Sequence, residues 1–179
     1  MTIGTPASVP TAAVEDWVAL AAGYLNAVAN RLVQRGIFVR SLRVDEPAGS
    51  MGHASIGHGS VGYAPGGSLT LDPMSGHQSP WTPARLRWQH DEGWRASLEH
   101  RTDPGRGSVR RYLPGHPVPC PVAVAQFVVA LNSDPDTVWA SSYFRPMEPL
   151  DLRYLELELR GYLPPGRTPV VPGPRLGGS

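Results

Sequence analysis

The chain has 179 residues, a formal net charge of +1, and 20 each of Gly and Pro. All 16 basic residues are Arg, so a P-loop lysine, a Schiff-base lysine and a lysine general base are excluded. A single Cys excludes an intramolecular disulfide and a cysteine-based zinc finger, and near-neutral charge supplies no global pull toward nucleic acid or an anionic membrane.

The Gly and Pro residues concentrate at both ends and in one internal stretch. This pattern predicts a flexible tail over 1–10 and a single α+β domain over 11–162, with a Gly/Ser/His-rich insertion at 47–83. A Pro/Gly-rich disordered tail is expected over 163–179. The opening MTIGTPASVP lacks a charged n-region and an apolar h-region, so a cytoplasmic location without membrane association is expected.

After Thr11, a plausible N-cap, Val14, Trp17, Val18, Ala21, Leu25, Val28 and Leu32 recur at spacings of three and four. That is an amphipathic helix ending near Arg35 and Gly36. Residues 37–44, IFVRSLRV, read as a strand stopped by Asp45, Glu46 and Pro47. Within 47–83 only SLTL, 68–71, has strand character.

A hairpin follows. Leu86, Trp88 and His90 alternate with Arg87 and Gln89; Trp94, Ala96, Leu98 and His100 alternate with Arg95, Ser97 and Glu99, the period of strands with one wet face. A loop of Asp91, Glu92 and Gly93 would set His90 against Trp94, Trp88 against Ala96, Leu86 against Leu98 and Arg85 against Glu99. It would also place Gly93 in the left-handed region. VRRYL, 109–113, is a third strand of this group, and Pro121 opens a helix whose body AVAQFVVAL is apolar almost all round. Asp134–Ala140 could form a short helix. Pro149–Gly161 reads as helix on Leu, Glu and Arg propensity, although LELEL also alternates like a strand. The expected architecture is an N-terminal helix, a small antiparallel sheet of three or four strands, a buried second helix and a C-terminal helical extension.

YLNAVANRL in the first helix, LRWQHDEGWRASLE in the hairpin and RYLPGHPVPCPVAVAQFVVAL after it together resemble an actinobacterial family filed as domain of unknown function 6292. The resemblance spans roughly residues 17–132, with Trp88, Gly93 and Trp94 as its structural positions; the Gly/His insertion departs from it. Because that family has no established activity, the resemblance implies a fold and no mechanism.

Gly57, Gly59 and Gly62 spell G-x-G-x-x-G, but Pro65, Gly66 and Gly67 follow where a dinucleotide site needs a helix. Ser60 lacks the first glycine and the strand-turn-helix context of a nucleophile elbow. His53, His58 and His77 with Asp72 are chemically suited to a metal or polar ligand, though their spacing fits no template; solvated loop histidines are the plainer reading. Cys120 at the start of the second helix, with His116 before it, suggests an activated thiol. Flanking prolines instead point to a buried structural cysteine. Arg85, Arg87 and Arg95 share the wet hairpin face with Arg101, Arg106, Arg110 and Arg111 nearby, and Asp91, Glu92, Glu99 and Asp103 offset part of that charge. Nucleic-acid binding would want aromatics among these arginines, whereas Trp88 and Trp94 face away.

No catalytic constellation or cofactor is therefore expected. The leading expectation is a non-enzymatic module that binds a protein partner or itself. A ligand or metal protein using the 47–83 loop comes second, and an Arg-led DNA-binding accessory third.

Overall fold

A computed structural model of the chain describes residues 11–45, 65–73, 79–135 and 152–164. Helix α1 (Thr11–Gln34) leads through Gly36, at φ 76°, into a five-stranded antiparallel meander. Its strands are β1 (Val39–Val44), β2 (Gly66–Leu71), β3 (Trp81–Gln89), β4 (Gly93–His100) and β5 (Ser108–Tyr112), in the order β1-β2-β3-β4-β5. Helices α2 (Pro121–Ser133) and α3 (Leu152–Arg160) follow. The α+β class is thus as expected, with more strands than the three or four anticipated. The expected tails at 1–10 and beyond Leu163, and the body of the expected short helix at 134–140, lie almost wholly outside the described residues.

The segment read as an insertion contributes to the sheet itself. β2 and the first residues of β3 fall inside 47–83, and β2 is paired on both sides. Two glycines open this strand, and Gly67 is required by packing. A Cβ there would collide with Leu25 Cδ1 of α1 and lie 2.5 Å from the Arg43 carbonyl oxygen.

The hairpin register is offset by two residues from expectation. Trp88 faces Trp94 rather than Ala96, Leu86 faces Ala96 rather than Leu98, and Arg85 faces Ser97 rather than Glu99. The chain reverses over His90–Glu92, with Glu92 N–H donating to the Gln89 carbonyl at 3.2 Å. Gly93 does take the left-handed conformation, at φ 70°. A two-residue slip leaves every side chain on its own face, so alternation alone cannot separate these registers. In the observed register the two largest buried side chains, Trp88 and Trp94, face each other.

All three helices contribute to one core on one face of the sheet. Leu20, Tyr24, Leu25, Val28 and Leu32 of α1 meet Leu69, Leu86, Trp88, Trp94, Ala96 and Leu98 of the sheet, together with Val124, Phe127, Val128 and Leu131 of α2 and Leu155 and Leu159 of α3. The last pair settles the ambiguity of LELEL: residues four apart are buried while Leu157 points outward, as a helix dictates.

Tyr24 organises the polar part of this core. Its hydroxyl donates to the Pro119 carbonyl at 2.7 Å and accepts from Trp94 Nε1 at 2.8 Å. Burial pushes its phenol well above the ordinary value of 10.0, only partly opposed by the Trp94 hydrogen bond. A raised folded-state pKa means that the native state keeps a proton which the unfolded chain loses above about pH 10. The contribution is therefore complete below that pH and declines as pH rises through it. Tyr24→Phe is expected to cost about 1–2 kcal/mol at neutral pH by stranding the Trp94 N–H. It should also flatten the loss of stability between neutral pH and about pH 11, measured by urea denaturation at both values.

Candidate functional site

The opposite face of the sheet carries no described helix. Strand pairing arranges its side chains in cross-strand rows. One row runs Arg43, Ser68, Arg87, Arg95, Tyr112, and the next runs Thr70, Arg85, Ser97, Arg110. Arg85, Arg87 and Arg95 lie on one face as the alternation implies, Arg110 of β5 joins them there, and Trp88 and Trp94 are buried on the other side. Sequence reading missed Arg43 because β1 lay outside the hairpin argument, although its alternation with Leu42 and Val44 carried the signal. It also missed Tyr112, an aromatic directly across from Arg95.

Arg87 and Arg95 are direct cross-strand neighbours, a like-charge pairing that would be unfavourable alone. Each has its own acid: Arg87 lies 3.3 Å from Asp45 and Arg95 3.2 Å from Glu92. Arg43, Arg85 and Arg110 are exposed and have no acidic partner among the described residues. Arg43 on β1 and Arg110 on β5 stand on opposite edge strands, about 19 Å apart at the usual inter-strand spacing. Arg111 belongs to the helix side, where its Nε donates to the Pro135 carbonyl at 2.8 Å.

The remaining candidates are dispersed. His53, His58 and His77 lie outside the described residues, and Asp72 is engaged by Arg40 at 2.8 Å across β1 and β2. Among the described residues no group of three or more His, Cys, Asp or Glu could hold a metal ion. Cys120 is exposed, which corrects the expectation of a buried thiol. It occupies the N-cap position of α2 at the surface, where flanking prolines shape the turn without covering it, and makes no side-chain capping bond. His116 Nδ1 accepts the Val118 N–H at 3.2 Å, and its Nε2 lies 3.5 Å from Glu158 of α3. One side of the apolar α2 is core, Ala123, Phe127 and Ala130 line a groove of about 430 Å³ against Leu113 and Pro114, and Val129 is exposed.

No described helix is long and apolar enough to cross a membrane. The chain matches no family model, no curated protein and no solved structure.

Proposed function

We propose that this chain is a non-enzymatic, cytoplasmic interaction module that docks an acidic surface of a protein partner on the open face of its sheet. The observation that supports this reading is the set of arginines without an acidic partner among the described residues, Arg43, Arg85 and Arg110, held on a hydrogen-bonded sheet and spanning it from edge to edge. Guanidinium groups on a rigid platform lose little entropy on pairing with carboxylates, and complementary charge steers association and fixes orientation. Interspersed acids, Asp45, Glu92 and Glu99, match a mixed protein surface better than a phosphate backbone.

The test is capture from native lysate with the tagged wild type and with Arg43→Glu/Arg110→Glu. The wild type should retain a stoichiometric protein, and the double variant should lose it while melting within about 0.5 kcal/mol of wild type, as surface substitutions do. Retention by the variant would contradict the proposal. A second reading draws on Tyr112 beside Arg95: single-stranded nucleic acid stacked on that ring. It predicts nuclease-sensitive capture that weakens steeply with salt.

A further inference from the structure

One end of the open face is hollowed, and the strands are irregular there. Arg40 is an extra residue in β1, between Val39 opposite Leu71 and Ser41 opposite Thr70. Ala84 is an extra residue in β3, between Pro83 opposite Leu98 and Arg85 opposite Ser97. An extra residue of this kind bends its strand and re-aims the neighbouring side chains, and such bulges gather next to binding sites. Both extra residues line the same cavity of about 540 Å³, within the range of small-molecule sites.

The cavity's chemistry is that of a polar ligand. Arg85 brings an exposed guanidinium with no acidic partner among the described residues, while Arg40 is paired with Asp72, its Nε and one terminal nitrogen each 2.8 Å from Asp72 Oδ1. Glu99, Ser97 and Ser108 add a carboxylate and two hydroxyls. Thr82 lines the same cavity while only 7% exposed, and its hydroxyl oxygen has no hydrogen-bond partner. A buried polar atom left unpartnered is costly, and a ligand hydroxyl would relieve it. The Arg85 guanidinium favours an anion, with forked geometry suited to phosphate. Glu99, an acceptor only, disfavours a bare anion and calls for hydroxyl donors elsewhere on the same molecule.

We infer that this cavity binds a small polyhydroxylated phosphate monoester of the sugar phosphate class, its phosphate on Arg85 and its hydroxyls on Glu99 and Thr82. The site shares Arg85 with the protein-docking surface, whereas Arg43 and Arg110 do not line it.

Isothermal titration of the full chain with ribose 5-phosphate, inorganic phosphate, ribose and tartrate tests the assignment. Ribose 5-phosphate should bind one to one, at least about tenfold tighter than the other three, a difference of one decade in Kd. Arg85→Gln should weaken it about tenfold or more. Glu99→Gln should weaken ribose 5-phosphate while leaving inorganic phosphate unchanged or tighter, and Arg43→Gln, on the same face outside the cavity, should change nothing. Absence of saturable binding at about 10 mM ribose 5-phosphate, equal binding of tartrate or inorganic phosphate, or unaltered binding by Arg85→Gln would each overturn it. Arg85 and Glu99 are both exposed, so their replacement leaves the core intact.

Discussion

Replacing Trp88 with Ala lowers the free energy of unfolding by about 3–5 kcal/mol, the cost of deleting a large aromatic from a packed core. Trp88 is fully buried, its indole Nε1 donates to the Pro117 carbonyl at 2.8 Å, and its ring meets that of Tyr24 edge-on at 5.1 Å. The substitution leaves a void beneath α1 and strands a carbonyl in the segment leading to α2. Both the sheet and the seating of the second helix suffer as a result. Urea denaturation followed by far-ultraviolet circular dichroism measures the effect. A loss under about 1 kcal/mol would mean that Trp88 is not the centre of the core, because such small costs belong to surface positions.

Gly67→Ala has the next largest expected effect, at the upper end of the about 1–3 kcal/mol typical of overpacking. The new methyl would meet Leu25 Cδ1 on one side and the Arg43 carbonyl on the other, with Val44 Cα at 3.3 Å. Leu25 could turn aside, but the Arg43 oxygen belongs to a paired strand and moves only with it. The adjacent Gly66→Ala serves as a comparison, since its methyl would meet the Asp45 carboxylate and the Trp88 carbonyl at 3.0 Å each. The loss at Gly67 should exceed that at Gly66, measured in the same denaturation experiment. Equal losses would mean that the close approach of α1 to β2 does not govern the position.

These two residues also show how much of the fold the sequence carries. The first helix and both hairpin strands were legible from periodicity, because each has a single buried face, whereas the second helix was legible from Pro121 and its apolar run. Strand β2 was only half legible: Ser68–Leu71 alternate, whereas Gly66 and Gly67 suggest a break until the neighbour filling the Cβ position is known. The hairpin register failed for a related reason. Period-two alternation fixes which face a residue takes and is silent about a slip of two.

The candidate face was legible in part. Arg85, Arg87, Arg95 and Arg110 could be grouped from the hairpin and β5, but adding Arg43 required knowing that β1 joins the same sheet through β2. The hollow at Arg40 and Ala84 had no sequence signal at all, since an extra residue in a strand is visible only against its partner. Cys120 was misplaced because apolar and proline neighbours describe composition, while exposure follows from where the N-terminus of α2 meets the surface.

The most direct test of the open face as the docking surface is amide chemical-shift mapping of the isotopically labelled chain, titrated with the partner recovered by capture. Shifts confined to Arg43, Ser68, Arg87, Arg95, Arg110 and Tyr112 and their strand neighbours, with α1 and α2 unmoved, are the expected result. Shifts concentrated on the helices, with those strands unmoved, would contradict it.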